Sequence, residues 1–341
     1  MSRRVATLIT GAVLLVLLAG GGGRLPVPYV ALGPGPTLDT LGTDTGGTEI
    51  IQITGRTERR TTGRLNLTTV AVRDGLDLVT AFRGWLDPRV SVVPREEIYP
   101  PGKSEQQVDQ ETTQQFAESQ SSAEFAALGE LGFPQQVVVS SVPTGSPSVG
   151  KIAKGDVLTS VDGTAAADYE DVSRVLTKLR PGTTVTVGYT RAGKPATASV
   201  VTTTARDRDG AAIGVVLTLQ RKAPFEVTIK LDESIGGPSA GLMFALGIIE
   251  KVGPDDLTGG RFIAGTGTID FGGKVGPIGG IQLKMIGARE KGATVFLVPA
   301  DNCTDAKHRP PADLRLVRVE TLRDAVRSLA TLRAGGEPPT C

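Results

Sequence analysis

Two short stretches hold residue types that could carry out nucleophilic chemistry. The first, "GGPSAGLMFALGIIE" over residues 236–250, sets Ser239 after a Gly-Gly-Pro turn and just ahead of an apolar run that reads as a helix. A serine hydroxyl is a weak nucleophile at neutral pH until a neighbouring base takes its proton. The chain has one histidine, His308 in "DAKHRPP", where prolines and charges predict an exposed loop. The second stretch, residues 265–299, offers a different base. Within it Ile281 to Lys291 reads as a helix closed by Gly292, and Lys284 has Gly280, Ile281, Gly287 and Ala288 as its neighbours one turn away. That face is small and apolar and has no carboxylate on it.

A free lysine titrates near ~10.4, so only about one in a few thousand carries the neutral amine at pH 7. Burial among apolar groups disfavours the ammonium, and a shift of roughly three units, costing about 4 kcal/mol, makes the amine a competent base. A Ser-Lys pair then needs no imidazole. Gly237 to Gly241 also satisfies the G-x-S-x-G pattern of α/β-hydrolases, and Ser239, Asp301 and His308 follow in the chain order of that triad. An esterase using His308 is therefore the alternative enzyme reading, and a noncatalytic adaptor built on the same scaffold is the alternative outside enzymes.

The elements that must position these residues are aliphatic. Aromatics make up 4% of the 341 residues and glycines number 44, so Val, Leu, Ile and Ala must fill the cores. The net charge of +1, and a basic stretch at Arg56 to Arg64 without interleaved aromatics, argue against nucleic-acid binding. One histidine and two cysteines cannot assemble a zinc site, so no metal or cofactor is expected. "GSPSVGKI" at 145–152 approaches a phosphate-binding loop but puts Ile152 where a hydroxyl must bind magnesium, and a turn is the better reading. Asn66-Leu67-Thr68 and Asn302-Cys303-Thr304 fit the glycosylation pattern and read as chance matches. Short β-rich runs between Thr48 and Glu97 flank a helix at "LDLVTAFRGWL", and residues 103–128, rich in Gln, Glu, Ser and Ala, predict a helix on a mostly polar surface.

"GGPSAG" with "TGTIDFGGKVGPIGGIQLK" resembles the proteolytic domain of Lon-type serine proteases over about 120 C-terminal residues. The resemblance implies a nucleophile at Ser239, a base at Lys284, an orienting hydroxyl at Thr266, and support from Gly237, Pro238 and Ala240. Gly236 stands where many Lon proteases carry an acidic residue, as does Thr268; Asp232 and Glu233 lie nearby in the chain. Residues 131–203, chiefly "SPSVGKIAKGDVLTSVDG", resemble a PDZ domain. That likeness implies a small barrel that captures an extended peptide at a strand edge, with Leu131, Gly132 and Phe133 as the loop holding a peptide carboxylate. Together the resemblances imply an ATP-independent Lon-like protease acting on protein or peptide substrates, and hexamers are expected from the resemblance alone.

The N-terminus carries Arg3 and Arg4 and then "VATLITGAVLLVLLAGGGG", about nineteen residues without charge, long enough for one membrane span. Positive charge ahead of it places the rest of the chain outside the cytoplasm. A cleaved signal peptide is the alternative. In that setting Cys303 and Cys341 can pair and pin the C-terminal tail, or remain as two thiols. The expected fold is α+β: an anchor over 1–24, a first part of the proteolytic fold over 25–128, a PDZ barrel over 129–206, the Lon-type catalytic domain over 207–335 and a tail over 336–341.

Overall fold

A computed structural model describes residues 3–5, 9–11, 25–44, 46–205, 209–231 and 235–341. Among these no helix is long and apolar enough to cross a membrane; the transmembrane helix expected near the N-terminus falls mostly on residues outside the described ones, as do Asp232 and Glu233. The chain divides into two compact units, one made of residues 1–127 and 225–341, the other of 128–224.

The first unit begins with strands β1 (Tyr29–Asp39), β2 (Ile51–Thr54) and β3 (Arg64–Arg73), helix α1 (Leu78–Leu86), strand β4 (Ser91–Pro94) and helix α2 (Glu105–Glu130). β1 pairs antiparallel with both β3 and β4. Its register with β3 shifts between Pro34 and Thr37, where two prolines lack the N–H that a regular ladder requires. α2 departs from the expected polar surface helix. Phe116, Ser119, Ser122, Ala123, Ala126 and Ala127 are buried, and Phe116 meets Phe244 edge to face at 5.8 Å. Serine and alanine make this face thin enough for close packing, yet they give no apolar stripe in the sequence.

The second unit holds β5 (Gln135–Ser141), β6 (Val157–Val161), β7 (Thr164–Ala165), α3 (Tyr169–Leu176), β8 (Thr184–Arg191), β9 (Lys194–Val201), β10 (Thr203–Thr204), β11 (Ala211–Ala212) and β12 (Val216–Arg221). Its main sheet runs β12-β5-β6-β8-β9, with β7 paired to β6. Val137, Val139, Leu158, Val185, Val187 and Ile213 close its core. The boundary expected at 206 moves to 224, because β12 pairs with β5 along its length and belongs to this sheet.

The first unit resumes with β13 (Glu226–Ile229), α4 (Gly241–Val252), β14 (Phe262–Gly265), β15 (Thr268–Ile269), β16 (Val275–Gly276), α5 (Ile281–Glu290), β17 (Val295–Pro299), α6 (Cys303–His308), β18 (Arg315–Val319) and α7 (Leu322–Arg333). β13 pairs with β2, and β14 lies parallel to β3, so segments before and after the second unit complete one fold. The sheet order is β18-β17-β14-β3-β1-β4. Every residue of α4 is buried. Even Lys251 near its end is enclosed, held by Glu58 at 2.9 Å and by the Ile51 carbonyl.

Cys303 and Cys341 form a disulfide across 38 residues of chain, and the Arg318 N–H donates to the Pro339 carbonyl at 3.0 Å. The tail is thereby tied to the edge strand β18. Closing a loop of this length constrains the unfolded chain, so Cys341→Ser is expected to lower unfolding free energy by about 2–4 kcal/mol. Denaturant melts of the oxidised protein and the variant, with unchanged values for the two as the contrary result, check this.

Candidate active site

Ser239 sits in a single 3-10 turn, Pro238–Ala240, that leads into α4. The turn is held from three sides. Gly237 has φ +85°, a conformation that glycine alone adopts at no steric cost, and its N–H donates to the Thr112 carbonyl of α2 at 3.2 Å. The Ser119 hydroxyl donates to the Pro238 carbonyl at 3.0 Å. On the third side the Gly267 N–H donates to the Ser239 carbonyl at 2.8 Å, and the Leu242 N–H returns a bond to the Gly267 carbonyl at 3.1 Å. A Cβ on Gly241 would lie 2.8 Å from Ser119 Oγ and 2.7 Å from Ile269 Cγ2. A Cβ on Gly236 would collide with Thr112 Cγ2 of α2, so glycine at this position lets α2 approach the turn closely.

Lys284 arrives from the other direction. Gly280, at φ +69°, opens α5 in the left-handed region, and a Cβ there would press on Val70 at 2.7 Å. Lys284 then lies one turn into the helix with its N–H bonded to the Gly280 carbonyl at 3.0 Å. Its side chain is 3% exposed, and Nζ stands 2.7 Å from Ser239 Oγ and 3.0 Å from Thr266 Oγ1. Thr266, itself buried, donates its hydroxyl hydrogen to the Ser239 carbonyl at 3.0 Å. The threonine oxygen is left as an acceptor for an N–H of Lys284, and that turns the lone pair of the neutral amine toward Ser239 Oγ. Burial alone lowers the lysine from 10.5 to about 8, and among the described residues no ion pair opposes it. The arrangement brings the Ser239 hydroxyl, the buried Lys284 amine and the Thr266 hydroxyl together within hydrogen-bond reach.

Pro238 and Ala240 flank the serine as the sequence suggests, and Pro238 supplies the carbonyl that Ser119 holds. His308 and Asp301 do not join the site. His308 ends α6 and is exposed, Asp301 is exposed, and β13 stops at Ile229, so among the described residues no strand leads directly into the serine turn as a nucleophile elbow requires. Leu131, Gly132 and Phe133 are a further correction. They form the C-terminal cap of α2, where the Gly132 N–H donates to Gly129 and the Phe133 N–H to Leu128, leaving neither for a carboxylate. The strand that follows, β5, is paired on both sides, by β12 and β6. The edge beside α3 is β12, where the Tyr169 hydroxyl donates to the Leu217 carbonyl at 3.0 Å. The two glycosylation patterns fall on buried asparagines, and Asn302 exchanges two bonds with Ile278.

Sequence reasoning missed Thr112 and Ser119, which hold the serine turn. Their only signal is a spacing of seven, two turns of helix, within a stretch of small polar residues.

Residues 232–331 match the Lon protease (S16) C-terminal proteolytic domain, and residues 106–202 match the PDZ domain. The chain is 35% identical over 94 residues to the Lon protease of Heliobacterium modesticaldum, covering 27% of this chain and 11% of that relative. It is 36% identical over 94 residues to the Lon protease of Clostridium beijerinckii, covering 27% and 12%. The chain thus spans about a tenth of the length of the curated relatives it matches. The PDZ domain of an SdrC-like protein from Listeria monocytogenes is 26% identical, with a TM-score of 0.23, over 24% of this chain and 85% of that one.

The depressed lysine has a consequence for folding. Below pH 8 the folded protein bears the burial cost of the ammonium in full; between about 8 and 10.5 the unfolded chain binds a proton that the folded chain has released, so stability rises with pH. Lys284→Met is expected to raise unfolding free energy by ~2–3 kcal/mol at pH 7 and by under ~1 kcal/mol at pH 10. Urea melts of both proteins at the two pH values read this difference, and a gain that does not shrink with pH contradicts it.

Proposed function

We propose, for a chain that is a PDZ-containing relative of the Lon (S16) serine peptidases, that it hydrolyses peptide bonds through Ser239 and Lys284 without ATP. The observation that carries this reading is the 2.7 Å approach of a buried Lys284 Nζ to Ser239 Oγ. With the amine near pH 8, roughly one molecule in ten is neutral at pH 7, against about one in three thousand for an unperturbed lysine. Lys284 Nζ takes the Ser239 proton as Oγ attacks the peptide carbonyl. The resulting ammonium gives that proton to the leaving amine, and an ester to Ser239 forms. Water, deprotonated by the same amine, attacks the ester, and the proton returns to Ser239 Oγ as the acid leaves. The Ser239 N–H, at the start of the turn that leads into α4, is the group that receives the oxyanion, since the Gly237 and Leu242 N–H groups are already bonded, Pro238 has none, and the N–H groups that follow Ser239 close the 3-10 turn.

The PDZ domain captures extended segments of the substrate by adding them to β12 rather than β5, in the groove toward α3. The N-terminal apolar segment anchors the chain in a membrane with both domains on the extracytoplasmic side, and the substrates are membrane-proximal or secreted proteins. The single disulfide suits such a compartment.

Two experiments test these proposals. With an unfolded protein as substrate, Ser239→Ala and Lys284→Ala are expected to lower kcat/KM by at least ~10³, while His308→Ala leaves it within about twofold. For the parent enzyme kcat/KM rises about tenfold per pH unit up to a plateau above pH 8. Cleavage that survives loss of Lys284, or dies with His308, defeats this reading. In the second experiment, Tyr169→Phe frees the Leu217 carbonyl for an incoming strand. Peptide binding to the variant is expected to tighten by about two- to tenfold, the worth of one hydrogen bond. Titration calorimetry with a substrate-derived peptide reads it, and unchanged or weaker affinity removes β12 as the peptide edge.

A further inference from the structure

Helix α1 is built inside out for a helix packed on a sheet. Its inward residues are Ala81 and Gly84, and a Cβ on Gly84 would lie 2.7 Å from Val92 Cγ2 of β4. Its large apolar side chains point the other way. Leu78, Val79, Phe82, Trp85 and Leu86 fall within one arc of ~120° at 100° per residue, and all five are exposed, Phe82 at 57%, Trp85 at 54% and Leu86 at 71%. Scattered exposed leucines are ordinary, but five large apolar residues contiguous on one helix face mark a surface that is covered in use.

The chain itself indicates what covers it. The Leu78 N–H, the first of α1, donates to the Leu25 carbonyl at 3.1 Å, the Val27 N–H donates to Leu76 at 2.9 Å, and Pro26 bridges to Asp77. The segment that emerges from the N-terminal apolar run is thus stitched to the start of α1. From Ala19, where the strongly apolar part of that run ends, to Leu25 is six residues, at most about 20 Å of extended chain. Leu25 is also exposed. Tyr29 packs edge to face on Trp85 at 5.8 Å, which puts two amphipathic aromatics at the rim of the patch, and the exposed Arg83 follows on its flank. Aromatic rings beside a leucine face, with arginine at the edge, are the composition that settles at the level of lipid headgroups.

We propose that α1 is a membrane-interface helix: its apolar face lies in the headgroup region of the same bilayer that anchors the N-terminal segment, giving the first unit a second contact with the lipid. This rests on the anchored reading above. The partner is the lipid surface; a second copy of the chain would have no reason to place its complement within six residues of an apolar anchor.

Trp85 is the sole tryptophan, so its emission reports on this face alone. The full chain is reconstituted into liposomes of phosphatidylcholine and phosphatidylglycerol carrying a lipid spin-labelled close to the headgroup. Flotation reads the anchor, and quenching of Trp85 by the spin label and by aqueous iodide reads α1. The expected result is co-flotation, roughly twofold quenching by the lipid label, and severalfold protection from iodide. Phe82→Ser combined with Leu86→Ser should abolish most lipid quenching while leaving flotation and cleavage of a short soluble peptide unchanged. Flotation with Trp85 open to iodide and untouched by the lipid label overturns the proposal and spares the anchor. Shielding from both quenchers assigns the face to protein and also overturns it, as does lipid quenching that persists in the double variant. A chain that stays with the soluble fraction defeats the anchor and the proposal together.

Discussion

The contact between Lys284 Nζ and Ser239 Oγ requires a dry enclosure, and much of the first unit exists to provide one. An ammonium prefers water, so the neutral amine is obtained only where water is excluded. α5 presents Lys284 among Ile281, Gly287 and Ala288; Thr266 supplies a hydroxyl rather than a carboxylate, which orients the amine without raising its affinity for a proton. An acidic partner at that position would hold the lysine charged. The threonine is the neutral solution: it satisfies an N–H and leaves the electrostatics untouched.

Keeping the serine turn fixed falls to groups that tolerate no change of size. Gly236 and Gly241 bring α2 against the turn, and the Thr112 carbonyl and the Ser119 hydroxyl then bond the Gly237 N–H and the Pro238 carbonyl just ahead of Ser239. Gly265, whose Cβ would lie 2.7 Å from Met243 Sδ, lets α4 settle on β14. The buried Lys284 weakens the fold at neutral pH, and the fully buried, largely apolar α4 beneath the serine offsets it by burying side chains such as Leu242, Phe244 and Leu246. The geometry of the Ser239–Lys284 pair and the core packing are therefore the same set of contacts in this unit.

The lysine helix, its closing glycine and its partner strand were legible because their signals are local: a glycine stop, small neighbours one turn away, and a continuous apolar run. The serine turn was legible for the same reason. Three features were not. The buried face of α2 is made of Ser119, Ser122 and Ala123, residues that read as surface, and only the tertiary fold shows that smallness was the requirement. The "LGF" triplet looked like a carboxylate loop, but its N–H groups cap the helix that precedes it, a competition that periodicity does not reveal. α1 read as a helix from its sequence pattern, yet the same pattern cannot say whether an apolar stripe faces a core or a lipid.

The misplaced boundary at 206 has a topological cause. Residues 207–224 look like the approach to the catalytic domain because they follow the barrel in sequence, whereas Val216 to Arg221 pair with the first strand of that barrel, Arg221 opposite Gln135. The Lys222 N–H continues the pairing to the Pro134 carbonyl at 2.9 Å. Entry and exit of the inserted unit are thus adjacent strands of one sheet, and the unit closes on itself before the chain moves on. For the first unit this matters in entropy. β3 and β14 pair in register, Leu65 opposite Ile263, across nearly two hundred residues, and a flexible loop of that length would add to the cost of closure as (3/2)RT ln n. An insertion whose ends are already held together shortens the effective loop by its whole length. Had β12 instead been part of the catalytic fold, the two ends would separate by a strand and that saving would be lost, so the paired edge strand is what lets one fold carry another in its middle.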